Sequence, residues 1–276
     1  MEYFTQKDLK ALYRPHPESS GEDNGQVTII GGSALFHGAP LLSLKSASRI
    51  VDMVFFSSPD PSVGKVAENI KSRLSSFVWV PFSEVGDYIK KSDAVLIGPG
   101  FMRFRSEKNN HHPHTGDCDD ACELTKGITK NLLTAYPDSR WVIDAGSLQV
   151  MDPAWIPPNA IITPNKKEYH MLFNGLDPNK AAQKYRCTII LKGPVTYVYH
   201  PKKTIAVKGG NAGLTKGGTG DVLAGLTVAL YAKNDALLAA AASSYVVKAA
   251  ADNLFKKTGT FYNSDDLAES IPAILK

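Results

Sequence analysis

Apolar positions along the chain follow two rhythms. Short solid runs stand at 26–30 (QVTII), 52–57 (DMVFFS), 77–80 (FVWV), 94–97 (AVLI), 141–143 (WVI), 160–162 (AII) and 187–191 (CTIIL). Runs this short, bounded by Gly, Pro, Asp or Lys, predict strands buried on both faces. Between them, segments 40–49, 62–75, 83–91 and 118–136 carry apolar residues at helical spacing. Pro40 suits the first turn of its helix. Residues 7–13 form a short amphipathic start, and the PHPESSGEDNG stretch after it reads as a polar loop or linker. Residues 197–199 and 204–207 predict an antiparallel hairpin around His200-Pro201-Lys202-Lys203, placed to cover a ligand from one side. Two Ala-rich helices, 221–233 and 235–257, and a last short helix, 264–275, complete the chain.

This strand–helix alternation predicts an α/β protein: a doubly wound, mostly parallel central sheet with helices on both faces. No composition break, linker or internal repeat divides it. The expectation is one domain over 1–276, with 1–25 as an N-terminal extension.

With 43% apolar and 21% charged residues, the 276-residue chain has the balance of a soluble globular protein. The formal charge of +4 comes without any long Lys/Arg run, which argues against nucleic acid and suits an anionic small molecule. No apolar run is long enough for a membrane span, and no signal segment opens the chain. Cys118, Cys122 and Cys187 are too few for a disulfide framework, so a reducing cytoplasm is expected.

The densest chemistry lies late in the chain. Seven of the 22 glycines fall between Gly209 and Gly225, in KGGNAGLTKGGTGDVLAG, immediately before a helical apolar run. A glycine loop opening a helix presents free N–H groups and the positive end of the helix dipole to an anion. Asp221 stands at its mouth, placed to take a proton from a hydroxyl while the amides hold charge building on a phosphate. An N-cap behind an ordinary turn is the plainer alternative.

Other strand ends carry weaker signals. Gly31-Gly32-Ser33 and Gly98-Pro99-Gly100 put bare backbone at the sheet edge, as ligand loops and plain turns both do. Asp144 ends a strand as a ligand contact or a helix cap. Asn165 and Glu168, three apart, can hold Mg²⁺ through its water shell or cap a helix. Lys192, beside Gly193, can pair with a nucleotide phosphate as a point charge. The 102–117 segment, with His111, His112 and His114 ahead of Cys118 and Cys122, matches no zinc-ligand spacing and reads as a solvated loop or a lid. Cys118 and Cys122 are expected on one helix face. The Walker A and GxGxxG patterns are both absent.

The set GGTGDVLAG (217–225), TPNKKE (163–168), DAGSL (144–148), GPG (98–100) and GGS-to-GAP (31–40), in this order, resembles the NAD(P)H-hydrate dehydratases of the ribokinase-like superfamily. The resemblance covers residue 26 to the end of the sequence. It implies repair of NADHX and NADPHX, the forms of NADH and NADPH hydrated at carbon 6 of the nicotinamide. Such a lyase phosphorylates that (6S) hydroxyl with ADP or ATP and Mg²⁺, and phosphate then leaves. On this resemblance Asp221 is the base, and Gly218, Thr219 and Gly220 form the anion hole. Ala39, Gly100 and Asn165 contact the hydrated cofactor together with Asp221. Lys192, Gly193, Pro194, Val195 and Thr196, with Gly220, contact the adenine nucleotide. Asn165 and Glu168 correspond to an Asn-x-x-Glu element that organises Mg²⁺ through water. A homo-oligomer, with the tetramer as the form relatives often take, and a separate epimerase as pathway partner are also implied.

The sequence departs from the family pattern in two places. Asn165 stands where many bacterial members carry His, and Gly146 stands where many members carry a second Asp. Two other functions share the GTGD element: a ribokinase-like vitamin-precursor kinase, such as a hydroxyethylthiazole kinase, and a non-catalytic nucleotide-binding protein. The TPNKKE and DAGSL segments favour the dehydratase over the first, and the intact Asp221 disfavours the second.

Overall fold

A computed structural model describes residues 2–72, 74–103 and 118–276. In chain order its elements are β1 (Glu2–Tyr3), β2 (Gln26–Ile30), α1 (Gly38–Ala47), β3 (Met53–Ser57), α2 (Pro61–Ile70), β4 (Val78–Trp79), α3 (Val85–Lys91), β5 (Ala94–Ile97), α4 (Asp120–Ala135), β6 (Trp141–Ile143), α5 (Ala145–Val150), β7 (Ile161–Ile162), α6 (Lys166–Phe173), α7 (Pro178–Tyr185), β8 (Thr188–Leu191), β9 (Thr196–His200), β10 (Lys203–Val207), α8 (Thr219–Lys233), α9 (Ala236–Thr258) and α10 (Ser264–Leu275).

The strands form one sheet in the order β1-β10-β9-β8-β7-β6-β5-β2-β3-β4. All neighbours from β8 through β4 run parallel; only β9 pairs antiparallel on both its sides. Side chains alternate across this sheet with period two. Ala94, Leu96 and Val142 join one apolar core with α1, α8, α9 and α10. Val95, Ile97, Trp141 and Ile143 join the other with α3, α4, α6 and α7. The expected three-layer, doubly wound arrangement is thus present, built by burial on both sheet faces.

Helix α8 is apolar on nearly every side because it is enclosed on nearly every side. It packs on the sheet beneath and on α1, α9 and α10 around it. Gly225 permits the closest approach: a Cβ there would run into the Ser43 carbonyl of α1. This packing fixes where the N-terminus of α8 points.

The N-terminal residues 2–12 pack on the fold, and several element bounds differ from those expected. Glu2–Tyr3 pairs parallel with β10, and Phe4, Leu9 and Leu12 are buried in the α9-side core. Helix α8 begins at Thr219, two residues before its expected start, so Asp221 lies inside the first turn. Helix α2 ends at Ile70, short of 75. Helix α4 starts at Asp120, capped by Asp119, so Cys118 lies before it and not on its face; Cys118 is instead disulfide-bonded to Cys122. Helix α5, with Asp144 at its N-cap position, follows the capping alternative read from the sequence, and helix α7 was not expected. Among the described residues, no helix is long and apolar enough to cross a membrane.

Candidate active site

The carboxyl ends of β2, β5, β6, β7 and β8 lie side by side along one edge of the sheet, and the loops leaving them are stitched backbone to backbone. Gly32 N donates to Pro99 O (2.8 Å), Asp144 N to Ile97 O (3.0 Å), Thr163 N to Ile143 O (3.2 Å) and Lys192 N to Pro164 O (2.9 Å). The GPG segment has a steric reason. Gly98 sits at φ +115°, and a Cβ on it would strike the Asp144 carbonyl. Gly100 sits at φ +74°, where a Cβ would come within 2.5 Å of the Phe36 carbonyl and 3.1 Å of Gly32 Cα.

A charged cluster stands at this edge. Asp144 is buried, and its Oδ1 accepts from the Thr163 hydroxyl (2.5 Å) and from Lys192 Nζ (3.2 Å). Lys192 Nζ also lies 3.8 Å from Glu168 Oε2. Burial works against the Lys192 ammonium, but the Asp144, Glu168 and Asp221 carboxylates outweigh it and raise its pKa. Lys192 therefore anchors this cluster. Its Nζ lies 3.5 Å from where a Gly220 Cβ would be, beside the glycine loop.

The first turn of α8 faces the cluster. Gly218 is its N-cap, left-handed at φ +90°, with Thr219, Gly220 and Asp221 following. The turn is braced from outside. The Thr219 hydroxyl donates to the Leu214 (2.8 Å) and Lys216 (2.9 Å) carbonyls, and Ser264 Oγ donates to Gly217 O (2.6 Å). Thr219 N makes a long bond back to Lys216 O (3.4 Å). Of the expected anion hole, then, the Thr219 hydroxyl is a brace. The Gly220 amide, in the first turn of α8 and at the inner end of the cleft described below, is the one placed to meet an anion. Asp221 is half-buried, and burial pushes its carboxyl up to about 7; Asp144 and Glu168 add to the rise, while Lys192 and the Asp221 amide oppose it. A carboxylate with that affinity for a proton is matched to general-base work near neutrality.

Ala39 lies in the first turn of α1, one turn before Ser43 on the same face. The Ser43 hydroxyl donates to the Asp221 carbonyl (2.8 Å), and Pro40, next to Ala39, backs onto Gly100. Ala39, Gly100 and Asp221 are thus linked through α1. Asn165 is the N-cap of α6: its Oδ1 accepts from Lys167 N (2.8 Å) and Glu168 N (3.0 Å), and Glu168 Oε2 accepts from Asn165 N (2.8 Å). Glu168 Oε1 also accepts from Gln149 Nε2 (2.9 Å). The capping alternative read from the sequence is what these two residues make. Among the described residues, no three His, Cys, Asp or Glu side chains stand together as a metal-binding set. Asn165 Oδ1 is spent on two backbone amides, while each Glu168 oxygen accepts one bond and keeps a lone pair for a water, so the pair fits a metal held through its water shell.

Beside this cluster opens a cleft of about 590 Å³. Lys192, Gly193, Pro194 and Thr196 line one wall, and 209–212, Leu214 and Thr215 another; Thr219 and Gly220 stand at its inner end. Val195 is not among the lining residues. Sequence reasoning missed the floor, which Ser244, Val247 and Lys248 of α9 supply. The signal was present: Lys248 is the only charged residue between Ala236 and Ala251. The His111–His114 segment lies outside the described residues. At Gly146 a Cβ would strike the Phe101 backbone, so this chain has no room there for the second Asp.

Residues 27–273 match the family model of the NAD(P)H-hydrate dehydratases. Among curated relatives, the bifunctional NAD(P)H-hydrate repair enzyme Nnr of Methanocaldococcus jannaschii is 36% identical, over 98% of this chain and 52% of that protein. The ADP-dependent (S)-NAD(P)H-hydrate dehydratase of Nitrosopumilus maritimus is 28% identical, over 92% of this chain and 89% of its own length. The chain spans about half the length of the first curated relatives it matches. In fold it is similar to a ribokinase-like superfamily protein of Enterococcus faecalis (TM-score 0.81, 21% identity, 99% of this chain and 95% of that one).

Proposed function

Because the chain belongs to the NAD(P)H-hydrate dehydratase family, we propose that it restores NADH and NADPH from their (6S) hydrates, using ADP or ATP as phosphoryl donor. The observation that carries this reading is the Asp221 carboxylate in the first turn of α8, next to the Gly220 amide and within the electrostatic reach of Lys192.

The chemistry follows from those groups. Hydroxide leaves a ring carbon poorly, and phosphate leaves well. Asp221 takes the proton of the C6 hydroxyl as that oxygen attacks the donor's terminal phosphorus. The bond from phosphorus to the nucleotide's bridging oxygen breaks, releasing the shortened nucleotide. The Gly220 amide and the N-terminal end of α8 hold charge on the transferring phosphoryl group. The ring-nitrogen lone pair then expels phosphate from C6, and loss of a proton from C5 restores the reduced ring. Lys192 has donors to spare beyond Asp144 and faces the same point. The nucleotide occupies the cleft between 192–196 and 209–215, and the hydrated nicotinamide lies on the Ala39, Gly100 and Asn165 side.

Three carboxylates around one ammonium leave excess negative charge, which suits Mg²⁺ held through water by Asn165 and Glu168. When bound, it spreads the charge of the phosphoryl oxygens. We place the enzyme in the cytoplasm, working with an epimerase that supplies the (6S) form; the relatives named bifunctional are about twice as long. A small-molecule kinase would use the same α8 turn, but the match of 27–273 to the dehydratase model favours repair. Incubating pure protein with NADHX, Mg²⁺ and ADP or ATP tests the reading. Return of the reduced-nicotinamide absorbance supports it, and a stable phosphorylated product without that absorbance supports a kinase.

A further inference from the structure

Lys248 is a buried lysine in an otherwise Ala-rich helix, and burial of an ammonium is costly unless every proton finds a partner. Its Nζ donates to the carbonyls of Gly193 (3.2 Å), Pro194 (2.8 Å) and Gly209 (2.8 Å). An ammonium has three donors, so none remains for a phosphate even though Lys248 lines the cleft. One turn along α9, Asp252 Oδ2 accepts from Gly210 N (2.9 Å). The Gly209 carbonyl and the Gly210 N–H belong to one peptide unit. Helix α9 therefore grips both polar ends of a single peptide plane, one with an ammonium and one with a carboxylate. Gly209 and Gly210 sit at φ +94° and +79°, where glycine has the most freedom to turn that plane over. Gly193 and Pro194 belong to the opposite wall of the cleft.

We propose that Lys248 and Asp252 are positioning residues that set the width of the nucleotide cleft, by locking the Gly209–Gly210 peptide plane and tying it to the Gly193–Pro194 turn. This rests on the cleft being the nucleotide site, as argued above. The role differs from phosphate binding, because the Lys248 donors are spent on the protein. It also differs from simple packing, because its loss loosens two separate walls of the cleft, at the two ends of the β9–β10 hairpin.

The test uses Lys248→Met, which keeps the stem and removes the ammonium, and Asp252→Ala. Binding of ADP and ATP is measured by calorimetry, and hydrogen exchange is read on ligand-free proteins by mass spectrometry. For Lys248→Met the nucleotide Kd is expected to rise about tenfold or more, with a tenfold change being about 1.4 kcal/mol. Exchange should quicken in 192–197 and 208–213 together and stay unchanged in β2 and β5. Asp252→Ala should quicken 208–213 and weaken nucleotide binding. A Kd within about twofold of the parent, or quickening spread evenly over the sheet, overturns the proposal. Should Lys248→Met fail to fold, Asp252→Ala decides alone by the same criteria. A parent protein that binds neither nucleotide overturns the functional reading instead, and the exchange comparison still decides the clamp.

Discussion

Replacing Asp221 with Asn should destroy activity and make the protein more stable. The carboxyl is held at about 7 against an ordinary value of 3.8, because burial and the Asp144 and Glu168 charges disfavour its ionised form. Between these two values the folded protein binds more proton than the unfolded chain does. Stability therefore falls as pH rises through that window, and the cost is complete above about 7. Three pKa units at about 1.36 kcal/mol each give an upper figure of about 4 kcal/mol at about pH 8, and about 1.5 kcal/mol at about pH 5. Asn has nearly the same shape and no charge, so it removes the cost. Lys192 keeps Asp144 and Glu168 as partners in the variant. Urea denaturation of parent and Asp221→Asn at both pH values measures the difference. The variant's advantage should be larger at the higher pH. An advantage independent of pH, or a less stable variant at about pH 8, would refute the reasoning that Asp221 is an ionised group held among like charges.

Other tests bear on neighbouring parts of the site. Because a base must be deprotonated, kcat/KM of the parent should rise with pH through about 7, and a flat profile from about pH 5 to 8 would remove Asp221 as the base. Lys192→Met takes away the charge that opposes the Asp221 shift, so this acid limb should move to higher pH; an unmoved limb separates Lys192 from Asp221. Gly146→Asp should destabilise by about 1–3 kcal/mol in urea and restore no family function, because its Cβ meets the Phe101 backbone; a neutral substitution would show that the 98–101 turn yields easily. Chelating divalent metal with EDTA should stop turnover, and a full rate after chelation would defeat the Mg²⁺ proposal.

The sheet was legible because strands buried on both faces cannot hide their composition: WVI, AVLI and CTIIL read as strands and are strands. The GGTGD turn was equally open, since a dense glycine run before an apolar helix has few other uses. What the sequence concealed depends on distant partners. Helix α7, with Ala181 and Ala182 as its buried residues, has too weak an apolar stripe to be seen without the sheet it covers. The 7–13 stretch was read as amphipathic but its partners were not visible, because Phe4, Leu9 and Leu12 find their core across α9 and β10. Lys248 was not singled out, because the three carbonyls that explain it lie 39 to 55 positions away along the chain. Lys192 was expected to meet a nucleotide, and its pairing with Asp144 joins residues 48 apart.

The proposed reaction turns on one carboxylate taking a proton from a hydroxyl as a phosphoryl group arrives at the N-terminus of α8. The most direct measurement is a side-by-side assay of parent and Asp221→Asn with NADHX, Mg²⁺ and each of ADP and ATP, following reduced-nicotinamide absorbance and free phosphate together. The parent should yield both in equal amounts with at least one donor, and the variant neither, while still binding nucleotide by calorimetry. Restoration by the variant at the parent's rate, or none by the parent with either donor, would contradict it.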